Sequence, residues 1–475
     1  MEDIQIQNPI LKGNKYKVEF VSMTHDGKGV CKLDGTLKNG EEVTNYPVFV
    51  NNAIVGEKGL IELTETKKTL ANGKLLKVFK EATSKHRTAP ICPIYEECGG
   101  CHLLHMTYEG QLAFKRSMVK STLQKIGGFK DVVVKPVIPS VNEYKYRNKV
   151  QIPFGYVNKK TVCGFYKHQS HEIIQLNECY IQSDEMTEIT KFIRNLCNEF
   201  RISGYNEELH KGLLKHVLLR ESTVNNEVMV VLVTLKKDVP SLQQFVEKLV
   251  KRHPKIKTVV QNINDQKTNV VLGKEFITLY GDGYITDTLL DHKFNISAES
   301  FYQVNKETCE VLYQKAIKLA NLKPTDNVID AYCGIGTITL SLSPYVEKVY
   351  GVEIVEQAVK NAKDNAKLNK IKNVSFVCNK AEDQIVKWKK QGLNIDTIFV
   401  DPPRKGLDMT LMDTISEMNI KKVIYISCDV ATLARDLKYF QNLGYTFDYV
   451  QPVDMFPQTM HVETITLLCL KEPKK

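Results

Sequence analysis

The segment CPIYEECGGCHLLH, from Cys92 to His105, brings three cysteines and two histidines close together in the chain. Thiolates and imidazoles bind metals, and thiols can also form disulfides. The cysteines follow a C-x5-C-x2-C pattern, whereas zinc sites usually combine two short pairs. Cysteines in a glycine-containing loop also suit an iron–sulfur cluster, because its sulfurs accept backbone hydrogen bonds. The spacing leaves a disulfide, a zinc site, a cluster and chance open.

A fourth ligand for such a site would have to come from elsewhere in the chain. Cys179, in NECY, is the nearest solitary candidate. Cys163 is the other, but it lies in an apolar run typical of a buried strand, so we expect it to be packing. A disulfide is disfavoured, because twelve cysteines in 475 residues are too dilute for a disulfide scaffold and the cytosol keeps thiols reduced.

Another cysteine stands where a thiol could act as a nucleophile. In VIYISCDVATLARDL, Cys428 follows an apolar strand and precedes a predicted helix, with the polar Ser427 and Asp429 on either side. The positive end of a helix lowers the pKa of a nearby thiol, and the thiolate is the reactive form. A cysteine at the end of a buried strand is usually inert, so a catalytic role depends on what surrounds it.

A glycine-rich turn between a strand and a helix predicts a cofactor site. VIDAYCGIGTITL contains Asp330 at the strand end and the turn residues Gly334 and Gly336, and the next strand, KVYGVE, ends at Glu353. Glycines let a ligand approach the backbone, and an acid at the next strand end can bind ribose hydroxyls. Nicotinamide binding is the rival interpretation, but it expects a third glycine. The D-x-x-C-G-x-G turn, with FVDPPRKG at a later strand end, resembles the S-adenosylmethionine-dependent methyltransferase fold.

The sequence DPPRKG, from Asp401 to Gly406, predicts a rigid turn with an acid at the end of a buried strand. The turn could serve only to shape the backbone, without any contact to a ligand. Ligands of parallel α/β sheets, however, bind at the carboxyl ends of the strands. We therefore expect Asp401 to contact the methyl donor or the substrate base.

A methyltransferase with a cysteine at this sheet edge has a specific use for it. Carbon 5 of a pyrimidine is a poor nucleophile until a thiolate adds to carbon 6, which is covalent catalysis. After methyl transfer, a general base must remove the carbon 5 proton so that the thiolate can leave. Glu463, just before the final predicted strand, is the candidate base, and Asp454 and His461 are its competitors.

Three patterns of hydrophobic residues predict three domains and a multidomain α/β fold. Residues 1–81 contain short alternating runs broken by glycine turns, which predict a small β-barrel of the oligonucleotide-binding type. Residues 82–297 mix predicted helices and strands, which indicates a central α+β domain that carries the cysteine loop. Residues 298–475 alternate apolar strands with helices, as in a parallel, doubly wound, Rossmann-like sheet.

The composition limits the class of protein and its partners. Hydrophobic residues make up 43% and charged residues 25% of the chain, as in ordinary globular proteins. No apolar run reaches the about 18 residues of a membrane span, and the first residues lack the apolar core of a signal peptide. We therefore expect a cytoplasmic protein without membrane contact. A net charge of +10 and a pI of about 8.8 favour a polyanionic partner such as RNA, although lysine-rich enzymes also occur without one.

The motifs together resemble one family. FYQVN (Phe301–Asn305), DAYCGIGT, GVE, DPPRKG, SCDVATLARDL and QTMHVE are similar in order and spacing to the RNA (uracil-5-)methyltransferase family. YRNKVQ (Tyr146–Gln151) and GLLKHVLLR (Gly212–Arg220) resemble motifs of its central domain. DGKGV (Asp26–Val30) resembles the glycine-rich turn of its TRAM domain, an RNA-binding barrel. The resemblance covers nearly the whole chain, and implies a class I methyltransferase domain at its C-terminal end.

The resemblance also implies roles for single residues. It makes Cys428 the nucleophile and Glu463 the base. Four residues would bind S-adenosylmethionine: Gln303, Tyr332, Glu353 and Asp401. Four cysteines match the ligands of the family's [4Fe–4S] cluster: Cys92, Cys98, Cys101 and Cys179. The cluster would be structural or would assist RNA binding, because methyl transfer has no redox step. One departure is Asp429-Val430, where many members have Asn-Pro, which could alter the local turn.

We interpret the chain as a cytoplasmic, S-adenosylmethionine-dependent enzyme that makes 5-methyluridine in RNA, with 23S ribosomal RNA as the expected substrate. The predicted TRAM barrel and the cluster cysteines favour ribosomal RNA, since members that act on the tRNA T-loop usually lack both. We expect a monomer. The alternatives are a tRNA T-loop methyltransferase and a non-catalytic RNA-binding iron–sulfur protein. The joint presence of Cys428 and Glu463 argues against the second.

Overall fold

The computed structural model describes residues 9–167 and 170–471, and their contacts divide them into two compact units. The first unit consists of the described residues up to Glu96, Gly100–Met118 and Phe456–His461, and the second of Glu97–Gly99, Val119–Met455 and the described residues from Val462. The three predicted domains, 1–81, 82–297 and 298–475, stay predictions. Residues 1–8 and 472–475 of the outer two lie outside the described residues.

The first unit contains a sheet of seven short strands. Along KYKVE, Tyr16 and Val18 are buried while the residues between them are exposed, as an alternating pattern predicts. The strand order is β1-β4-β5-β7-β6-β2, with β3 paired to β4. Within residues 15–23, β2 therefore pairs with β6 and β3 pairs with β4. The strands are β1 (Pro9–Ile10), β2 (Lys15–Glu19), β3 (Ser22–Met23), β4 (Gly29–Leu37), β5 (Glu42–Val50), β6 (Lys58–Thr66) and β7 (Ala71–Val78).

The rest of the first unit includes most of the cysteine-rich loop, most of helix α1 (Tyr108–Thr122) and the segment Phe456–His461. Gln111 of α1 and Gln458 hydrogen-bond to each other twice: Gln111 Nε2 donates to Gln458 Oε1 at 2.8 Å, and the Gln458 N–H donates to Gln111 Oε1 at 3.0 Å. Both side chains are buried. A stretch from near the end of the chain is thus an integral part of the first unit.

The second unit begins with a seven-stranded sheet packed against two helices. The strand order is β10-β9-β8-β11-β12-β13-β14, and the pairs are antiparallel except for β12 with β13. Ser183 caps the first helix, since its Oγ accepts the N–H of Met186 at 3.2 Å. The elements are β8 (Lys149–Val157), β9 (Lys160–Tyr166), β10 (Ile173–Gln175), α2 (Asp184–Glu199), β11 (Leu214–Ser222), β12 (Glu227–Thr234), α3 (Leu242–Arg252), β13 (Ile256–Ile263) and β14 (Glu275–Tyr280).

A hairpin, β15 (Tyr284–Leu289) and β16 (His292–Ser297), leads into an eight-stranded sheet. Its order is β19-β18-β17-β20-β21-β24-β22, with β23 paired to β24. The elements are α4 (Lys306–Ala320), β17 (Asn327–Ala331), α5 (Thr337–Leu342), β18 (Lys348–Glu353), α6 (Glu356–Leu368), β19 (Val374–Cys378), α7 (Ala381–Lys390), β20 (Thr397–Val400), α8 (Met409–Glu417), β21 (Lys422–Ser427), α9 (Val430–Asn442), β22 (Tyr445–Thr446), β23 (Gln451–Val453) and β24 (Glu463–Leu470).

Strands β17 to β21 of this sheet are parallel and β24 is antiparallel to β21. This confirms the predicted doubly wound α/β fold for the C-terminal third. Because parallel strands end at the same edge, the loops after β17, β18, β20 and β21 come together there. In the part of the chain that the structure describes, no helix has the length and hydropathy to span a membrane.

Candidate functional site

The carboxyl edge of the parallel sheet gathers three of the predicted cofactor residues. Strand β17 lies between β18 and β20, and the three strands end at Ala331, Glu353 and Val400. The register pairs Ala331 with Val400 directly. Tyr332 and Asp401, the next residues of those two strands, therefore stand side by side, with Glu353 on the other flank of Tyr332.

The turn after β17 has the backbone that its glycines predict. Gly334 and Gly336 have φ of +54° and +88°, which glycine adopts without strain. Glu353 Oε2 accepts the N–H of Gly334 at 3.1 Å, and its Oε1 accepts that of Val355 at 2.9 Å. A carboxylate has about four acceptor positions, so two stay available for ribose hydroxyls. A Cβ added at Gly334 would meet no described atom within 4 Å, which leaves room for a ligand beside the turn.

Two residues next to this turn have features that a cofactor would explain. Tyr332 has φ of +68°, a conformation that bulky side chains rarely adopt outside functional sites. Asp330 is fully buried, and its Oδ2 accepts the Thr339 hydroxyl at 2.5 Å. Its Oδ1 has no hydrogen-bond partner among the described residues, and burial raises the pKa of Asp330 to about 7. These residues fit a cofactor that brings hydrogen-bond donors and positive charge, as S-adenosylmethionine does.

Gln303 lies in the segment that leads into α4. Its carbonyl accepts Asn148 Nδ2 at 3.1 Å. Two residues later, the buried Asn305 caps α4 by accepting the N–H of Thr308 at 3.3 Å, and its Nδ2 donates to the carbonyl of Met455 at 3.1 Å. The segment is thus fixed on both sides of Gln303, whose contact with a cofactor stays a prediction.

The predicted nucleophile and base face each other across two antiparallel strands. Ser427 is the last residue of β21 and pairs with Thr464 of β24. Cys428 and Glu463 therefore take the next facing positions. Glu463 is the first residue of β24 and is 4% exposed, while Cys428 is partly exposed.

The charges around Cys428 correct one prediction from the sequence. Burial raises the pKa of the Cys428 thiol to about 12, the negative charges of Glu463 and Asp401 contribute to the rise, and Arg404 opposes it. Burial also raises the pKa of both carboxyl groups, and Asp401 raises that of Glu463 further. The expectation that the helix end leaves Cys428 with a lowered pKa is therefore wrong, because burial, to which the neighbouring acids add, outweighs the helix.

At the departure Asp429-Val430, the chain forms a capped start of α9. Asp429 is the cap of α9, and its Oδ1 accepts the N–H groups of Ala431 at 2.9 Å and Thr432 at 3.0 Å. Val430 is the first residue of the helix. Aspartate is as good a helix cap as asparagine. Cys428 consequently stands directly before a well-formed helix.

The competing bases have other neighbours. Asp454 is fully buried and lies close to Glu143, where its charge adds to the burial that raises the pKa of Glu143. His461 belongs to the first unit, where its ring meets those of His102 and Phe456 edge-on at centroid distances of 6.2 and 6.1 Å. Glu463 is thus the candidate whose charge acts on Cys428.

The four predicted cluster ligands are divided between the two units. The backbone of Cys98 forms an isolated antiparallel β-bridge with Lys167, just after β9. Cys179 packs against the core of the second unit. Cys92 and Cys101 belong to the first unit, where the charge of Cys101 acts on Tyr95. Within residues 9–167 and 170–471, no three His, Cys, Asp or Glu side chains form a group that could hold a metal ion. The [4Fe–4S] cluster therefore stays a prediction.

Two residues in the quoted motifs received no role from the sequence. Arg404, in DPPRKG, is the cation that acts on both Cys428 and Glu463. Asp436, in SCDVATLARDL, is a fully buried acid on α9 that bonds to the loop carrying Arg404. The only sequence signal for a role of these two residues was that they stand in the same motifs as Asp401 and Cys428.

Comparison with known proteins agrees with this geometry. Residues 107–471 match the family model described as tRNA (Uracil-5-)-methyltransferase. A Bacillus cereus protein described as an "Uncharacterized RNA methyltransferase" is 45% identical over 460 residues, which cover 97% of each chain. A protein described in the same words from Clostridium acetobutylicum is 43% identical over 462 residues, or 97% of this chain and 98% of that one.

A solved structure resembles nearly the whole chain. It is the tRNA (uracil-54, C5)-methyltransferase of Pyrococcus abyssi in complex with S-adenosyl-L-homocysteine, with a TM-score of 0.74 and 25% identity. The match covers 95% of this chain and 99% of that one. With its class I methyltransferase fold and a family match over residues 107–471, the chain belongs to the tRNA (uracil-5-)-methyltransferase family, whose members use S-adenosylmethionine to methylate RNA.

Proposed function

We propose that this enzyme methylates carbon 5 of a uridine in 23S ribosomal RNA through a covalent adduct of Cys428, and so forms 5-methyluridine. The observation that supports the mechanism is the pairing of β21 with β24, in which Cys428 and Glu463 take facing positions beside Asp401. Attack on carbon 6 requires a thiol, and completion of the reaction requires a base that reaches the same ring.

The steps divide between these residues. The Cys428 thiolate adds to carbon 6 of the uracil, and the electrons of the C5–C6 double bond move to form an enolate. S-adenosylmethionine, when bound, supplies the methyl group that carbon 5 receives. Glu463 then takes the carbon 5 proton, the double bond forms again, and the thiolate leaves. No step requires an iron–sulfur cluster.

The raised pKa values of the two acids suit this division of roles. A general base works best when its pKa lies near the working pH, and burial shifts that of Glu463 upward. Two neighbouring buried carboxyl groups do not both ionise readily, so Asp401 and Glu463 share a proton. The protonated acid can donate a hydrogen bond to the uracil, while the ionised one accepts the carbon 5 proton.

The cofactor would lie along the carboxyl edge of the sheet. Glu353 has the free acceptor positions for ribose hydroxyls, and Gly334 leaves the space beside the turn. Tyr332 and Asp401 flank the same turn, and Gln303 would complete the site from the segment before α4. Asp401 stands between this turn and Cys428, so it is suited to contact both the methyl donor and the base.

The N-terminal sheet supports RNA as the substrate. Residues 15–23 pair with strands on both sides, which suits the predicted TRAM barrel. Lysines point outward from several of its strands, and positive surfaces attract the phosphate backbone of RNA. The exposed lysines include Lys15, Lys17, Lys32, Lys74 and Lys77.

Transfer RNA is the second candidate substrate. The Pyrococcus abyssi protein is described as a tRNA methyltransferase that acts on uracil 54, and the match covers 95% of this chain. A match of that extent includes most of the N-terminal sheet, so this sheet alone does not distinguish ribosomal from transfer RNA. The preference for 23S RNA then rests on the cysteines Cys92, Cys98, Cys101 and Cys179.

The test is to map 5-methyluridine in all 23S ribosomal and transfer RNA of a strain that lacks this gene. We expect one or more sites in 23S RNA to lose the methyl group, and the wild-type gene to restore it. Cys428→Ala should fail to restore it, whereas Cys469→Ala, at the exposed far end of β24, should succeed. A loss in tRNA instead would establish the second candidate. Restoration by Cys428→Ala would refute the covalent mechanism.

A further inference from the structure

Helix α9 carries an acid–arginine pair that the proposed mechanism does not use. Asp436 is the seventh residue of α9 and is fully buried. Its Oδ1 accepts from Arg435 Nε at 2.8 Å and lies 2.7 Å from Arg435 Nη2. Its Oδ2 accepts from the Tyr425 hydroxyl at 2.7 Å and from the Leu407 N–H at 2.9 Å. Both oxygens are therefore fully engaged with donors.

The pair holds the loop that follows Asp401. Besides the bond from the Leu407 N–H to Asp436, Arg435 Nη2 donates to the carbonyl of Lys405 at 2.9 Å. Between them, Gly406 has φ of +75°, and a Cβ there would lie 2.6 Å from both Arg435 Nη2 and Asp436 Oδ2. The backbone of the loop thus packs directly on the two side chains, with no space for a larger residue.

This loop carries Arg404, a cation that acts on both reacting side chains. Among the described residues, the charged groups that act on Cys428 include Glu463 from β24, Asp401 from the end of β20 and Arg404 from the loop. Asp401 and Arg404 also face Glu463, and Cys309 of α4 lies near both acids. Arg404 has an exposed side chain and lies next to Lys405, which Arg435 fixes.

We propose that Asp436 is a positioning residue for the attack of Cys428: with Arg435, it holds residues 403–407 in the conformation that keeps Arg404 beside Cys428 and Glu463. The inference rests on the proposed function, because it assigns Arg404 the task of favouring the thiolate that attacks the uracil. A cation near a thiol lowers the pKa of that thiol. When the loop is released, Arg404 moves away and the thiolate becomes rarer at a given pH.

The substitution Asp436→Asn tests this role, because an amide cannot satisfy the same donors. One of the two oxygens becomes an NH2 group, which then faces either Arg435 or the donors Tyr425 and Leu407. The probe is RNA transcribed with 5-fluorouridine, 23S or tRNA according to which the wild-type protein methylates. With S-adenosylmethionine in the assay, carbon 5 of the adduct carries both the methyl group and the fluorine. Fluorine cannot be removed as a proton is, so the thiolate cannot leave, and the Cys428 adduct persists and is measured on a denaturing gel.

We expect Asp436→Asn to shift the pH dependence of adduct formation upward by about one unit, which is about a tenfold slower rate at neutral pH. The variant should therefore reach a given wild-type rate of adduct formation at a pH about one unit higher. Its affinity for S-adenosyl-L-homocysteine should stay within about twofold of wild type. Arg404→Met should shift the profile similarly, and adding Asp436→Asn to it should produce no further shift. Tyr439→Phe is the matched control, because Tyr439 lies on the same helix and its hydroxyl donates to Asp413 at 2.7 Å, not to the loop.

An unchanged pH profile in Asp436→Asn, or shifts that add up in the double variant, would overturn the inference. If Asp436→Asn does not fold, Gly406→Ala provides the second test, since its Cβ forces the loop away from Arg435 and Asp436. A folded Gly406→Ala protein with a wild-type profile would also overturn it. If the wild-type protein forms no adduct with either RNA, the proposed function fails, and the role of Asp436 falls with it.

Discussion

Replacing Glu463 with glutamine should separate the formation of the covalent adduct from its breakdown. The substitution keeps the shape of the side chain but removes both the base and a negative charge that raises the pKa of Cys428. Loss of a general base slows its step by about 10²–10⁴-fold, so elimination should stall. The Cys428–RNA adduct should therefore become the main species, with the methyl group already on carbon 5.

The charge of Glu463 also sets the expected rate of attack. With a pKa of about 12, the Cys428 thiol is ionised in about one molecule in 10,000 near pH 8. Each unit by which the pKa falls raises that fraction about tenfold. Glu463→Gln should consequently form its adduct at least as fast as the wild-type enzyme. Below the pKa of the thiol, the rate should rise with pH, about tenfold per unit.

The assay is a denaturing gel of protein mixed with RNA and methyl-labelled S-adenosylmethionine. A slow band that contains protein, RNA and label is expected for Glu463→Gln, and it should vanish when Cys428→Ala is added. Glu247→Gln, an exposed acid on α3, serves as the control with normal turnover. Normal turnover by Glu463→Gln would refute the assignment of the base. An inactive variant without any adduct would show that Glu463 acts before or during the attack.

Three further substitutions test other parts of the structure. Gly336→Ala would put a Cβ 2.8 Å from Leu340 Cδ1 at a residue with φ of +88°. Calorimetry should therefore show S-adenosyl-L-homocysteine binding at least about tenfold more weakly to this variant. Gly392→Ala is the control: its Cβ meets no described atom within 4 Å, and the variant should bind S-adenosyl-L-homocysteine normally. Glu57→Ala removes the buried carboxylate whose two oxygens accept from Arg87 Nε and Nη2, each at 2.6 Å. Urea-induced unfolding should show a free energy of unfolding that is lower by about 3–5 kcal/mol. Anaerobically purified protein is expected to hold about four iron atoms per chain. Cys179→Ser should abolish this iron, while Cys163→Ser should retain it. Bound zinc without iron would contradict the predicted cluster.

The methyltransferase fold could be predicted because its signals are local. The apolar strands of the C-terminal third and the turns at Gly334 and Gly336 each occupy a short stretch of sequence, so their order along the chain already indicates a parallel sheet. The same reasoning predicted that Cys163 is buried, since it lies in an apolar strand, and its side chain is 0% exposed. The pairing of Cys428 with Glu463 depends on one further fact, namely that β24 runs antiparallel to β21, so that the start of β24 faces the end of β21.

Properties that depend on distant residues could not be predicted in this way. The pKa of Cys428 depends on Asp401, Arg404 and Glu463, which approach it only in the folded chain, and the helix effect alone gave the wrong direction. The contacts of Asp436 with Leu407 span 29 residues of sequence and leave no periodic pattern. The division of the predicted cluster cysteines between two units is likewise invisible in their spacing.

The segment Phe456–His461 has a consequence for biosynthesis. Gln458 completes the buried hydrogen bonds of Gln111, 347 residues earlier in the chain. The first unit therefore cannot finish folding while the protein emerges from the ribosome, because one of its parts is made almost last. A nascent chain that stops before Phe456 would leave Gln111 with buried polar groups that lack their partners. Truncation near the end of the gene should thus destabilise the beginning of the protein, and a shortened product would be recognised by proteases at its N-terminal unit.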